Sequence, residues 1–207
     1  VSDENKRRGF ELGPTLRAFR HRNYRLYFFG QLVSLAGTWM QSVAQSWLVY
    51  RLTGSSLLLG LVGFAGQFPV FLLAPLGGSL ADTRNRHPIV VATQTAAMAL
   101  AFALAALTLT GQVRLWHIFT LASLVGVVNA FDIPTRQAFL VEMVGRDDLV
   151  NAIALNSSMV NGARILGPAV AGVLVAAVGE GWCFFLNGVS FLAVLGGLLA
   201  MRLGPRT

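Results

Sequence analysis

The sequence predicts an all-α membrane protein of six transmembrane helices, and three observations carry that prediction. Of the 207 residues, 55% are hydrophobic and only 12% charged, whereas soluble domains run at about 25% charged. The apolar residues gather into six runs, each near the roughly 20 residues that cross a hydrocarbon core of about 30 Å. The Lys and Arg residues, finally, concentrate in alternate connections between those runs, as the positive-inside rule requires of a multi-pass protein.

The chain divides into a basic arm at 1–25, a six-helix bundle at 26–201 and the start of a further connection at 202–207. The arm and the apolar run after it, rich in Gln and Trp, do not match a cleavable signal. Val1 and the end at Thr207 suggest a fragment or an alternative start. Within the arm, Leu16 and Phe19 lie beside Arg17, Arg20, Arg22 and Arg25. That suits either a short helix in the membrane interface over 15–25 or a disordered basic segment.

The six spans are expected at Leu26–Tyr50, Leu57–Ala81, Ile89–Thr110, Leu115–Phe139, Ala152–Val178 and Trp182–Met201. Arg51 to Ser56, Asp82 to Pro88, Gly111 to Arg114 and Gly179 to Gly181 are short and turn-like, so consecutive helices run antiparallel. Only the connection around Val141 to Val150 is longer; its Asp147 and Asp148 sit where acidic residues favour a helix amino terminus.

With the amino terminus placed in the cytoplasm, thirteen of the sixteen basic residues fall inside, Arg51 and Arg114 fall outside, and Arg164 lies within a span. This distribution accounts for the net charge of +7 without a nucleic-acid partner. One cysteine, Cys183, excludes an internal disulfide and a multi-cysteine metal site, and packing is its expected role. His21, His87 and His117 stand singly, no zinc-protease motif or Gly-x-x-x-x-Gly-Lys-(Ser/Thr) phosphate loop occurs, and no enzyme, cofactor or metal is implied.

Three groups of residues stand out as functional candidates. In the first span, Gln31, Ser34, Thr38, Gln41 and Gln45 share one helical face, which must turn to other helices or to a wet cavity, because unsatisfied amides in hydrocarbon cost several kcal/mol. Gly60, Gly63, Gly66, Pro69 and Pro75 in the second span, and Gly162, Gly167, Pro168 and Gly172 in the fifth, suit close packing and bends. Asp132 and Arg164 lie at membrane depth, where each ionisable group costs at least about 2.5–3.5 kcal/mol and marks either a pathway or a structural ion pair. Measured from the external helix ends, their depths of about 26 Å and 21 Å allow them to pair. Arg136, four residues after Asp132, competes, but Pro134 between them is expected to disturb the helical spacing.

The loop Gly78-Ser79-Leu80-Ala81-Asp82-Thr83-Arg84-Asn85-Arg86 resembles the signature Gly-x-x-x-Asp-(Arg/Lys)-x-Gly-(Arg/Lys)-(Arg/Lys) of the major facilitator superfamily, with Thr83 and Asn85 as departures. Gly162 to Gly172 is similar to that superfamily's Gly-Pro exporter signature. Tyr50 to Ser55, Asp132 to Phe139 and Asn151 to Ser157 resemble its enterobactin-exporter-like branch.

The resemblance spans Leu16 to Met201 and implies twelve spans in two halves, with the substrate held between halves near the bilayer midplane. This chain would supply the amino-terminal half, in the bacterial cytoplasmic membrane. By the same resemblance the whole would export a siderophore, drug or other amphipathic molecule against protons. Gly78, Asp82, Arg84 and Arg86 would belong to a cytoplasmic gate, the polar stripe of the first span to the substrate pathway, and Asp132, Arg136 and Arg164 to coupling. The implied partners are lipid, a small-molecule substrate, the proton and a second six-helix half, either a carboxy-terminal half or another copy. An importer of the same fold and a non-transporting assembly half are the alternatives.

Overall fold

The first helices meet where the sequence supplies residues able to turn or cap the chain. The computed structural model describes residues 14–202. Among them are α1 (Arg22–Thr53), α2 (Ser56–Thr83), α3 (Arg86–Leu109), α4 (Leu115–Val144), α5 (Leu149–Val178) and α6 (Glu180–Leu199). Gly54 takes a left-handed φ of 61° and its N–H closes on the Tyr50 carbonyl, while Ser55 Oγ accepts from the Leu58 N–H to open α2. Asn85 caps α3 in the same way through the His87 N–H.

The basic arm departs from expectation. Residues 1–13 and 203–207 lie outside the described residues. In place of either one interfacial helix or a disordered segment over 15–25, Pro14–Arg20 forms a 3₁₀ segment, and α1 already begins at Arg22. His21, in extended conformation, separates the two.

Five helices, α2 to α6, are long and apolar enough to cross a membrane. The longest helix, α1, is absent from that set because Gln31, Ser34, Gln41 and Gln45 dilute its apolar character. Pro69, Pro75, Pro134 and Pro168 all lie inside helices without ending them, as neighbouring helices permit in membrane proteins.

The helices pair by close backbone approach. Along the α2–α4 contact, a Cβ at Gly77 would stand 2.0 Å from the Ala130 carbonyl oxygen, and one at Gly126 would stand 2.3 Å from that of Gly66. No larger side chain fits either crossing. Beyond this pair, α1 lies along α6 and α5, and α3 lies between α6 and α4. The least buried helix is α2, with 6% of its most apolar stretch covered against 56% for α6.

Two apolar clusters fill the interior. One contains Tyr24, Tyr27, Val90, Phe139, Val194 and Leu198; the other contains Met40, Leu48, Leu104, Ile118, Phe184 and the free thiol of Cys183. Between them along α1, α3, α4 and α6 come the buried polar residues Gln31, Ser34, Gln94, Asp132 and Asn187. At one end of the bundle Arg51 grips Glu180 with two hydrogen bonds, 2.8 and 3.1 Å, fastening α1 to α6. At the other end Arg86 of α3 pairs with Glu142 of α4.

The 3₁₀ segment docks on the amino terminus of α5. Ala18 N–H donates to Asn151 Oδ1 at 2.8 Å. The Asp148 side chain, 1% exposed, meets His21 at 2.8 Å, Arg20 at 2.6 Å and Arg17 at 3.6 Å. The His21 hydrogen bond, with the Arg20 and Arg17 charges added, holds the Asp148 carboxyl below the usual carboxylate range despite its burial. A depressed folded value stabilises docking above the ordinary carboxylate pKa of about 4 and loses that contribution as pH falls through the lower folded value. Hydrogen exchange at the Ala18 amide, corrected for its intrinsic rate, should therefore stay protected from neutral pH down to about 4 and lose protection only below it. In Asp148→Asn the protection should be low at every pH; an unchanged profile in that variant would show that Asp148 does not hold the segment.

Candidate functional site

A carboxylate in the middle of a membrane bundle needs both charge and hydrogen bonds. Asp132, on α4 and 2% exposed, has both. Its Oδ1 accepts from Thr93 Oγ1 at 2.7 Å and from Gln94 Nε2 at 2.9 Å, both on α3. Its Oδ2 lies 2.5 Å from Arg136 Nε, one helical turn onward.

The expected partner of Asp132 was Arg164, and the structure corrects it. Helix α4 runs unbroken through Pro134, so the i, i+4 spacing that brings Asp132 to Arg136 survives. Arg164 turns instead to the ring of Trp39, its guanidinium carbon 5.2 Å from the centroid.

Beside the ion pair lies a small internal pocket of about 80 Å³, touched by Gln31, Ser34, Gln41, Gln94, Asp132 and Asn187. The amide oxygens of Gln31 and Gln94 are buried there without a protein donor. Such oxygens are satisfied by water where a polar pocket has room for it, and this pocket has that room. Asn187 Nδ2 bridges across to Gln41 Oε1 at 2.7 Å.

A larger cleft of about 670 Å³ opens between α1, α4 and α5. Thr38, Asn129, Arg136, Gln137, Asn156 and Ser157 give it polar groups, while Leu35, Ile133, Val160 and the indole of Trp39 give it apolar walls. Thr38, Asn129 and Arg136 also border the internal pocket, so the two spaces adjoin at the ion pair.

The polar stripe of α1 thus divides. Gln31 and Ser34 are buried in the bundle, Gln41 is half-buried against α6, Thr38 faces the cleft, and Gln45 borders neither space. The signature stretch is less of a loop than expected, because α2 runs on to Thr83 and α3 opens at Arg86. Gly78 meets open space, Asp82 on the last turn of α2 and Arg84 are exposed, and Arg86 is tied to the Ala81 carbonyl at 2.9 Å as well as to Glu142. Of the fifth-span motif, Gly167 packs on α1, where a Cβ would stand 2.8 Å from the Ala36 carbonyl oxygen. Gly162 and Gly172 meet nothing within 4 Å, and Pro168 is half-buried.

Sequence reasoning missed Thr93, Gln94, Asn129 and Trp39. The adjacent Thr93 and Gln94 interrupt an apolar span, and that interruption was the available signal.

The helices thus enclose a charged pair and turn polar side chains toward an adjoining cleft, in an all-helical membrane bundle. The chain matches the family model of MFS-type transmembrane secretion effectors over residues 14–206, and it belongs to that family of transporters, which are not enzymes. It is 26% identical to the staphyloferrin A transporter of Staphylococcus aureus over 83% of this chain and 44% of that protein. It is 28% identical to the multidrug efflux pump Tap of Mycolicibacterium fortuitum over 74% and 39%, respectively. With the enterobactin exporter EntS of Shigella boydii it shares 23% identity over 89% and 44%. The chain spans less than half the length of these relatives.

The ion pair generates a quantitative expectation. Breaking a buried pair costs about 3–5 kcal/mol, and residues without a shared partner add within about 0.5 kcal/mol. A double-mutant cycle of Asp132→Asn with Arg136→Gln, read by thermal stability, should show coupling well above that level. The cycle of Asp132→Asn with Arg164→Gln should be additive. Equal coupling in both would contradict the pairing.

Proposed function

We propose that this chain is the amino-terminal, six-span half of a proton-coupled exporter of amphipathic small molecules, working by alternating access. In this reading α1 is the sixth span, the amino terminus is cytoplasmic, and a second six-helix bundle closes the cleft from its open side. The relatives named for staphyloferrin A, enterobactin and drug efflux support the class of cargo.

The observation that carries the coupling is the position of Asp132: buried at 2% exposure, hydrogen-bonded, and lining the internal pocket one turn from Arg136, which borders both that pocket and the cleft. A buried ionisable group on a transport path is the expected carrier of a proton. When Asp132 takes the proton, its hold on Arg136 weakens, and Arg136 borders the cleft. Proton and cargo thereby act on the same residue from two sides. Asp82, exposed at the end of α2, serves the cytoplasmic gate instead of the cargo site.

The test uses the full-length carrier in proteoliposomes loaded with enterobactin or staphyloferrin A under an imposed pH gradient. Efflux should follow the gradient, and Asp132→Asn should lower that response by about tenfold or more while cargo binding persists. Asp82→Asn should slow efflux with binding intact. Undiminished gradient-driven efflux in Asp132→Asn would remove Asp132 from the coupling step.

Orientation is checked separately. Single cysteines at the exposed positions Asn85 and Gln112, in a Cys183→Ser background, should differ in reactivity toward an impermeant thiol reagent added to whole cells. Gln112 should label and Asn85 should not; the opposite pattern would invert the topology.

A further inference from the structure

We infer that the cleft receives an organic anion, with the Arg164 guanidinium, laid over the Trp39 indole, as the group that binds its carboxylate or sulfonate. The inference rests on the cleft being the cargo pathway and names the chemical class of that cargo.

Arg164 lies 15 residues after the start of α5 and 14 before its end, which puts it near the bilayer midplane. A guanidinium there costs at least about 2.5–3.5 kcal/mol against lipid, so it belongs in a wet cavity. It is exposed, and it makes no hydrogen bond or ion pair among the described residues. Its guanidinium carbon lies over the indole, 5.2 Å from the ring centroid. Arg164 stands beside the cleft: Trp39, on which it rests, lines that space, and so does Val160, one turn before it on α5.

Stacking fixes the plane of a guanidinium and leaves its in-plane N–H groups unused. That edge is a bidentate donor for a planar oxyanion. The charge around it favours the same ligand. Among the described residues no carboxylate lines the cleft, and the arginine that does line it, Arg136, is balanced by Asp132. The unbalanced charge next to the cleft is therefore that of Arg164, held against its Trp39 wall. Apolar walls from Leu35, Ile133 and Val160 complete a site for an anion carried on an apolar or aromatic body.

Two probes of equal ring size and opposite charge test this: radiolabelled naphthalene-2-sulfonate and trimethyl-(2-naphthyl)ammonium, bound at equilibrium to the purified full-length carrier in nonionic detergent, with empty micelles as the blank. The sulfonate should bind about tenfold or more tighter than the ammonium. Arg164→Gln should abolish that preference, and Arg164→Lys, which keeps the charge, should retain most of it. Thermal stability measured alongside identifies a variant that merely fails to fold, and the Lys variant then carries the test. Equal or tighter ammonium binding, or an unchanged preference in Arg164→Gln, would overturn the anion assignment while leaving the cleft as a cargo site; in the second case a carboxylate of the second half is the partner of Arg164. Binding of neither probe above the blank would remove the cleft itself from the cargo pathway.

Discussion

The contact between Asp132 and Arg136 sets the terms for the interior of this bundle. A carboxylate at that depth is tolerable only with an opposite charge and hydrogen-bond donors: Arg136 brings the charge beside Oδ2, and Thr93 and Gln94 donate to Oδ1. Because two of those groups come from α3, the demand of one residue on α4 fixes how the two helices face each other. The same demand places Gln31, Ser34 and Asn187 in a common polar layer. Apolar clusters above and below then seal that layer from both faces of the membrane. Hydrophobicity does not drive helices together in lipid, so close backbone contact must. The glycine crossings of α2 on α4 and of α5 on α1 provide it.

Much of this architecture was legible in the residues, because local chemistry decides it. Gly54 and Ser55 break the first hairpin, Asn85 opens α3, and Gly145 ends α4, so the order of helices follows from the chain. The boundaries moved where packing prolonged a helix. The fourth continues five residues past the expected Phe139 to Val144, and the fifth starts three residues before Ala152, at Leu149. Depth and partners were less legible. The spacing of Gln31, Ser34, Thr38 and Gln41 put them on one face, but a face is wide enough to be split between an interior and a cleft, and only the neighbouring helices decide the division. Pro134 misled for a physical reason: a proline removes one backbone N–H and crowds the preceding turn, yet inside a packed bundle the helix continues, and the side chains on either side keep their register. The contacts of Arg51 with Glu180 and of Asp148 with His21 join residues 129 and 127 positions apart, and no local rule reports such pairs.

Those distant contacts have a shared consequence. Arg51–Glu180 binds α1 to α6 at one end, while at the other Arg86–Glu142 binds α3 to α4 and the Asp148 cluster binds the 3₁₀ segment to α5. Together with the polar layer at mid-depth, they cross-link the helices at three levels. A bundle fastened in this way resists internal shear. A carrier built on it would change access by moving the bundle as a unit, as the rocking of one repeat against another requires. The outward surface of α2 is left free of such fastening, with Gly60 and Gly63 meeting open space, so movement would be concentrated at the bundle's borders and not within it.

The two arginines at membrane depth show how burial divides labour between identical side chains. Arg136 is held by a carboxylate four residues away on its own helix, so its charge is neutralised before any ligand arrives, and a cargo can engage it only in competition with Asp132. Arg164 has an aromatic face in place of an anion. A π-face steadies the guanidinium without discharging it, so the positive field at the cleft survives at Trp39 while it is cancelled at Asp132. On the proposed reading, an anionic cargo would meet Arg164 first, and Arg136 would become available to it only where Asp132 lets go, so that proton and cargo would meet at Arg136 while Arg164 keeps its charge throughout.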